Sequence, residues 1–467
     1  MRTVPLRALF CSVIALCLGS CAVAQEPAGK PTSPSFTEST ESSETTTGPN
    51  LERLVRPAFE TESDFETAPD IESTANLTTA PNIGRLKDIV HVALTTNPAI
   101  AKARAKREAL TGKRIQAGLG PNPKAGFFGE DIFEDGRGGR YGIFYGQEVV
   151  RGNKLALSQN VVDAEISTVS RQIEILEQRV KTDVQNRFYE VLLAQQRLTL
   201  TESLVNMLAE IVKISEALIE AKEAAASSIL QVEIEYERIK VVAAQTHLNL
   251  SAARQQLAAL INESELPFEK LEGDVTAVPS LPAIEEVYDS LLTNSPEIAA
   301  ELAKINTAKR ALQRAKVESV PNVTWQTAVK YDTTGEHVIA DFQVGMPLPT
   351  VDWNQGNIRK ARSEIVMASA SVEQKLIQLR QRLIANYRDY AQAKLQVDAY
   401  ANSILPKSEK SLELITASYR AGELNFLQVL TAQRTFFQAQ LDYLNRLRTL
   451  RAKTILVEGQ LLNASLQ

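Results

Sequence analysis

The side chains that most often bind metals or act as nucleophiles are scarce and scattered in this sequence. It has three histidines, His91, His247 and His337, and none has a second ligand-type residue at the spacing of a metal site. The glycines form no phosphate-binding or dinucleotide-binding pattern between a strand and a helix, and no nucleophile elbow is present. We therefore predict no catalytic residue, no metal site and no cofactor, and we do not expect an enzyme.

All three cysteines lie within the first 21 residues, and only Cys21 has a plausible chemical use. Residues 1–20 have the order of a secretory signal, with arginines first, then an apolar stretch of ~11 residues, then small residues. The stretch is too short for a spanning helix, which needs roughly 20 residues. Because Leu18-Gly19-Ser20 precedes Cys21, a lipoprotein-type signal is favoured and Cys21 is the lipidation candidate. Cleavage after Ala22-Val23-Ala24 is the alternative and would remove Cys21.

The next segment, residues 21–83, consists mainly of Ser, Thr, Glu and Pro. It has too little apolar surface to offset the entropy lost on ordering, so we expect a disordered linker. The net charge of the whole chain is -5. A nucleic-acid partner, for which a basic face would be expected, is therefore not predicted.

The rest of the chain contains one structural plan twice, with a period near 200 residues. The segment 94–101 aligns with 292–299, Pro121-Asn122 aligns with Pro321-Asn322, and Gly152 aligns with Gly356. We therefore predict a first repeat at 84–278 and a second at 279–467. Each is predicted to contain two short helices, a strand pair and a long helical hairpin, with strands at about 125–149 and 323–346 and hairpins at about 154–262 and 356–462.

The predicted strands have the length of a tilted strand that crosses a bilayer, ~9 to 11 residues. Their alternation is imperfect, although Phe342, Val344 and Met346 share one face, as do Trp325, Thr327, Val329 and Tyr331. Four strands cannot close a barrel, and an open edge in hydrocarbon leaves backbone groups unpaired at a cost of several kcal/mol each. The strands must therefore be pooled between chains.

The hairpins are predicted to be coiled-coil helices. No proline or glycine occurs between Lys154 and about Glu223, and a helix of that length would reach roughly 100 Å. Apolar residues recur at three- and four-residue spacing in the second hairpin, whereas the charged residues between them, such as Arg380 and Arg382, are expected to face water. Pro406 should kink or restart its helix. The apolar positions are Val372, Leu376, Leu379, Leu383, Tyr387, Tyr390, Leu427, Leu430, Phe437, Leu441 and Leu444.

With these features the chain resembles the TolC family of outer-membrane efflux proteins over roughly 84–462. The most specific match begins at Tyr419-Arg420-Ala421-Gly422 and ends at Ala432, and it is similar to the family pattern Y-x-x-G-x-x-x-x-x-D-V-L-D-A. The resemblance implies a mainly α fold with a small β part, in which duplicated long hairpins form a trimeric periplasmic α-barrel. The four strands of each protomer would contribute to a shared 12-stranded outer-membrane β-barrel.

The resemblance also implies that the end of the second hairpin is the periplasmic tip and gate. The family's gate tyrosine is present as Tyr419 and its turn glycine as Gly422. At the positions of the family's latch arginine and aspartate stand Leu424 and Gln231, and at its acidic ring positions stand Gln428 and Thr431. The matching tip of the first hairpin includes Ala225 and Ser228, with alanine in place of glycine. We therefore expect a gate made by hydrogen bonds or apolar contacts, without the ion-pair latch.

The implied partners are two further copies of the chain, outer-membrane lipid, a periplasmic adaptor and an inner-membrane pump, of the RND type. Pro121-Asn122-Pro123 and the residues from Gly146 to Lys154 resemble the cation-efflux branch of CzcC type, although Gly146 and Asn153 depart from its pattern. Heavy-metal cations are therefore the favoured cargo, with drugs or organic solutes and secreted proteins as alternatives. A periplasmic coiled-coil adaptor or structural stalk is the rival from another class.

Overall fold

The computed structural model describes residues 84–132, 138–220, 226–266, 270–421, 423–424 and 426–465. The predicted signal peptide, Cys21 and the predicted linker lie outside these residues. The chain is mainly helical, with one small antiparallel sheet, and this coarse fold class agrees with the sequence prediction.

The first half of the described chain contains two short helices, a strand pair and a long hairpin. Helices α1 and α2 are followed by strands β1 and β2 and by helices α3 and α4, of which α3 has 67 residues. At 1.5 Å per residue, α3 is about 100 Å long. The bounds are α1 Leu86–Thr96, α2 Pro98–Gly118, β1 Lys124–Glu130, β2 Arg140–Val149, α3 Lys154–Glu220 and α4 Ala226–Leu260.

The second half has the same order of elements, with one difference in its first long helix. Helix α7 ends in a single π-helical turn, Tyr400–Ile404, and α8 follows with Pro406 in its first turn. Because proline has no N–H and its ring collides with the carbonyl four residues earlier, the wider turn lets the helix continue. The remaining bounds are α5 Ile284–Asn294, α6 Pro296–Lys316, β3 Val323–Asp332, β4 His337–Gly345, α7 Gln355–Ala399, α8 Leu405–Arg420 and α9 Phe426–Glu458.

The paired short helices of both halves are separated by the same local device. Asn97 and Ser295 each precede a proline and adopt nearly the same extended backbone, with φ of -66° and -67°. The residue before a proline is excluded from the α region, so α1 and α5 end there, and the proline starts the next helix at its first turn. Asn97 also caps α2, since its Oδ1 accepts the Ala99 N–H at 2.9 Å.

The four strands form one antiparallel sheet in the order β1-β2-β3-β4. The central pair β2–β3 joins the two halves of the chain, with Arg140 opposite Asp332 and Val149 opposite Val323. Strands β1 and β4 are the two edges, and neither has a second neighbour within the sheet. Strand β1 has 7 residues and is therefore shorter than the bilayer-length strand that the sequence predicts.

The long helices pack side by side, with α3 and α9 in contact, α4 on α3, and α7 and α8 on α9. The largest core cluster lies where α1, α3, α4, α7 and α9 meet, and Phe188, Leu257, Ile261 and Leu447 are almost fully buried there. A second cluster nearer the tip is formed by Leu204, Leu208, Ile239, Phe437 and Leu441.

The predicted coiled-coil positions are mostly in these contacts. Leu379, Leu383, Tyr390, Phe437 and Leu441 are buried. Two sequence expectations were wrong. The side chain of Leu427 is 52% exposed, and Arg382, expected to face water, is half-buried and pairs with the carboxylate of Glu297.

Candidate functional site

All charged side chains of the described strands lie on one face of the sheet, which they share with the apolar residues Phe128, Phe144, Ala328 and Ile339. The register puts every charged strand residue, and His337, on one face, here called the polar face: Lys124, Glu130, Arg140, Glu148, Lys330, Asp332 and Asp341. The opposite face, here called the apolar face, contains Phe127 and Phe342, whose side chains are 70% and 72% exposed. An exposed apolar face on a sheet of this kind is suited to lipid.

Aromatic residues lie near both ends of the apolar face. Tyr141 and Tyr331 are opposite each other near the β1–β2 turn, and Tyr145 packs on Trp325 nearer the helices, with ring centroids 5.7 Å apart. The predicted neighbours Trp325 and Thr327 lie opposite Val344 and Phe342. The alternation stays imperfect once the strands are paired, because Phe128, Phe144 and Ile339 lie on the polar face.

Ion pairs connect different strands across the polar face. The Lys330 Nζ lies 3.1 Å from Glu130 Oε2 and 2.9 Å from Asp341 Oδ2. Arg140 pairs with Asp332 at 3.3 Å and with Asp131 at 3.2 Å. The charges on this face therefore balance one another locally, and do not form a block of one sign.

The junction between the sheet and the long helices depends on Asn322, which the sequence identified only as part of a Pro-Asn break. Its Nδ2 donates to Glu148 Oε1 at 2.6 Å, and its Oδ1 accepts from the buried Lys154 Nζ at 3.0 Å. Gly152 and Asn153 turn the chain into α3 with φ of 71° and 55°, a left-handed conformation that glycine and asparagine tolerate best. The Gly-Asn-Lys motif thus fixes the direction in which the first long helix leaves the sheet.

The tip of the second hairpin brings together part of the predicted gate. Leu424, Gln428 and Thr431 line a groove of about 520 Å³ between α8 and α9, together with apolar and hydroxyl-bearing residues of both helices. Tyr419 is half-buried in the last turn of α8. Gly422 lies outside the described residues.

The predicted gate residue of the other hairpin is not part of that groove. Gln231 is exposed on α4 and is absent from the groove lining. Ala225 lies outside the described residues, and Ser228 is in the first turn of α4, where only the backbone is described. The role of all these residues as a gate stays a prediction.

An ion cluster around a buried carboxylate, which the sequence did not reveal, connects α6 to α7 of the second repeat and to α3 of the first. Glu297, in the first turn of α6, has a side chain that is only 7% exposed and faces three cations from two other helices. Arg179 of α3 lies 3.6 Å away, Lys375 of α7 lies 3.9 Å away, and Arg382 of α7 bonds Glu297 directly. The one available signal was the alignment of the repeats, in which Ala99 stands where the second copy has Glu297.

Arg451 of α9 holds in a comparable way the segment between α4 and α5, here called the connector. Its guanidinium donates to the backbone carbonyls of Asp274, Val275 and Ala277 at 2.7–3.0 Å and stacks over the ring of Tyr189. The hydroxyl of Thr276 donates to the Asp274 carboxylate, and this hydrogen bond lowers the pKa of Asp274 below its ordinary 3.8. The connector is thereby fixed against α3 and α9.

Within the part of the chain that is described, no three His, Cys, Asp or Glu residues are grouped closely enough to hold a metal ion. His91, His247 and His337 are exposed and lie on different elements. None of the described helices is both long enough and apolar enough to cross a membrane.

Comparisons with known proteins agree with this arrangement. Residues 287–457 match the family model described as outer membrane efflux protein. The cobalt-zinc-cadmium resistance protein CzcC of Cupriavidus metallidurans is 25% identical over 370 residues, which cover 79% of this chain and 88% of that protein. The pyoverdine export outer membrane protein OpmQ of Pseudomonas putida is 27% identical over 241 residues, 48% of this chain and 50% of that protein.

The fold is also that of a solved transmembrane channel. The crystal structure of CusC superposes with a TM-score of 0.68 at 14% identity and covers 81% of this chain and 92% of that one. The chain is therefore similar to outer membrane efflux proteins in sequence over residues 287–457, and similar to a solved transmembrane channel in fold over most of its length.

Proposed function

We propose that this protein is the outer-membrane channel of a tripartite efflux system and that it conducts heavy-metal cations passively to the outside of the cell. The observation that carries the proposal is the sheet whose charges all lie on one face while both of its edges are unpaired. Such a sheet suits a barrel wall with lipid on one side and water on the other. A passive conduit needs no catalytic group, so an enzymatic role is not part of the proposal.

Three copies of the chain are proposed to close the barrel. Four strands per copy would give a 12-stranded barrel in which β1 of one copy pairs with β4 of the next. The helices offer a matching surface, because α4 has exposed apolar residues at heptad-like spacing, Leu230, Ile234, Val241 and Leu248. The opposite flank of the helical layer, α7 and α8, also exposes apolar residues, among them Ile377, Ile384 and Leu414.

The repeats at 84–278 and 279–467 are proposed to have the same role in this assembly. Each would give two strands to the barrel and one hairpin to a periplasmic tunnel. The hairpin ends would meet a periplasmic adaptor and, through it, an inner-membrane pump of the RND type. A lipid on Cys21 would add a second attachment to the outer membrane, and loss of incorporated radiolabelled palmitate in Cys21→Ala tests that proposal.

Metal cations are favoured as cargo because the similarity to CzcC covers most of both chains, whereas the similarity to OpmQ covers about half of each. Export of organic solutes or of proteins is the alternative. The lack of a ligand cluster in the described residues does not count against metals, because transit through a channel requires weak binding.

The deciding experiment is deletion of the gene followed by growth on Zn, Co, Cd, Cu and a drug panel. Greater sensitivity to at least one metal, restored by the plasmid-borne gene, is the expected result. Unchanged tolerance of every metal would exclude cation export. A periplasmic adaptor would be indicated if the purified protein neither inserts into lipid nor runs as a heat-labile trimer.

The tip is proposed as the gate, with Tyr419 and the groove residues Leu424, Gln428 and Thr431 as its parts. Tyr419→Ala is expected to increase single-channel conductance, since the position would no longer contribute to closure. Equal conductance of the variant and the wild type would remove Tyr419 from the gate.

A further inference from the structure

The polar face of the sheet contains a three-residue charge group that spans it almost from edge to edge. Glu130 is on β1, Lys330 on β3 and Asp341 on β4, and the amine of Lys330 is within hydrogen-bonding distance of both carboxylates, at 3.1 and 2.9 Å. We call these residues the Glu130–Lys330–Asp341 triad. If the polar face lines the channel, as the proposed function requires, the triad lies on the wall along which cargo passes.

The reach of Lys330 across β2 depends on Gly142. This glycine is directly opposite Lys330 in the register. A Cβ added to it would lie 2.5 Å from the carbonyl oxygen of Val329 and 2.8 Å from the Cα of Lys330. With no side chain at that point of β2, the Lys330 side chain lies along the sheet and ends beside Glu130.

The exposure of the three groups shows which of them water reaches. The side chain of Lys330 is only 13% exposed, whereas those of Glu130 and Asp341 are 45% and 49% exposed. The amine is therefore held against the wall, between two carboxylates that face the solvent. Pairs with carboxylates as exposed as these add little stability.

Two carboxylate oxygens that share one cation are also ligands of the kind that bind divalent metals. Both oxygens are within hydrogen-bonding distance of the Lys330 Nζ, so they are no farther apart than the sum of those two distances. Without the amine they would be free to converge on an ion. A conduit that bound its cargo in this way would be blocked by it.

We propose that Lys330 is a built-in counter-ion that occupies a two-carboxylate site in the channel wall and so prevents divalent cations from being retained there. This rests on the proposed function, because it requires that the polar face borders the pore. Lys330 is in this view a residue that sets the ion permeation of the channel, and Gly142 is the residue that positions it.

The test is single-channel recording of the purified full-length protein in planar lipid bilayers, with K⁺ as the current carrier and Zn²⁺ added as the probe. Lys330→Gln removes the amine and leaves both carboxylates. We expect the Zn²⁺ concentration for half-block to fall about thirtyfold, which is the effect in water of removing one positive charge about 4 Å from a divalent ion. Half-block at the wild-type Zn²⁺ concentration would overturn the proposal.

Three further variants separate the triad from general effects. Lys330→Arg keeps the charge and should keep the wild-type sensitivity. The double variant Lys330→Gln, Asp341→Asn removes one carboxylate as well and should restore the wild-type sensitivity to Zn²⁺. Lys124→Gln is the matched control, since Lys124 is on the same face at the other end of β1. If it sensitises the channel as much as Lys330→Gln, net wall charge is responsible and the proposal is wrong.

Failure of this inference can be distinguished from failure of the proposed function. If the wild-type protein forms no conducting channel, the proposed function fails and the inference fails with it. If channels form and only the Zn²⁺ response is unchanged, the inference alone fails. Heat-labile trimers on gels verify that each variant is folded and assembled.

Discussion

Replacing the buried Glu297 should weaken the attachment of α6 to the long helices more than any exposed ion pair could. Its carboxylate, 7% exposed, pairs with Arg179, Lys375 and Arg382, and none of these three cations has a second anionic partner among the described residues. Glu297→Gln keeps the shape of the side chain but leaves three cations around a neutral amide. Those cations would then repel one another at the centre of a helix–helix contact.

The size of the effect follows from how well each group is covered. Removing one partner of a fully buried pair costs about 3–5 kcal/mol. Here Arg179 and Arg382 are 36% exposed and Lys375 is 25% exposed, so water screens part of the loss. We therefore expect a loss of about 2–3 kcal/mol and a fall in the melting temperature of about 3–5 °C.

Thermal unfolding of the detergent-solubilised protein, followed by the helical circular dichroism signal at one scan rate, measures this effect. Glu174→Gln is the matched control, because Glu174 makes an exposed pair with Arg171 on α3 at 2.9 Å. Its melting temperature should stay within about 1 °C of the wild type. If Glu297→Gln and Glu174→Gln have the same melting temperature, the cluster around Glu297 does not stabilise the fold.

Three other predictions concern the connector, the sheet and the pH response. Arg451→Met removes the three hydrogen bonds that Arg451 donates to backbone carbonyls of the connector. It should lower the free energy of unfolding by about 2–4 kcal/mol and make the connector accessible to limited proteolysis. An unchanged digestion pattern would show that Arg451 does not hold the connector in place. Gly142→Ala should abolish heat-labile trimers because its Cβ would meet backbone atoms of β3, whereas Gly112→Ala, with nothing within 4 Å, should assemble normally. Hydrogen bonds from Arg388 and, to a smaller extent, from Lys453 lower the pKa of the Asp389 carboxyl below 3.8. The ionised carboxylate therefore stabilises the fold above that pH, and this contribution is lost as the pH falls towards the lower pKa of the folded state. Asp389→Asn should therefore lessen the fall in melting temperature below about pH 4, and identical pH profiles would contradict this.

Much of the fold could be predicted from local patterns in the chain. The absence of proline and glycine after Lys154 predicted a long helix, and α3 runs to Glu220. Pro406 predicted a kink or a restart of its helix and lies in the first turn of α8, and Pro98 and Pro296 likewise lie in the first turns of α2 and α6. These features act through the backbone of a few neighbouring residues, so they are readable without any tertiary contact.

The candidate site was harder to predict because its parts are far apart in the chain. Lys330 meets Glu130, 200 residues away, and Arg382 meets Glu297, 85 residues away. Both the arginine and the lysine look like ordinary solvated charges in the sequence, and only the folded structure shows which carboxylate each of them contacts. The family resemblance places Leu424, Gln428 and Thr431 together at the tip, and they line one groove, whereas the position of Gln231 outside that groove is visible only in the folded chain.

The sequence by itself determined the duplication, the kinds of element and their order, because periodicity and helix-breaking residues act locally. The tertiary structure alone decided which charges are paired and which face of the sheet each strand residue occupies. Register is set by pairing between strands that lie about 190 residues apart in the case of β2 and β3, and a shift of one residue would move every side chain to the other face. The polar face, with Lys330 between its two carboxylates, is therefore a property of the folded sheet.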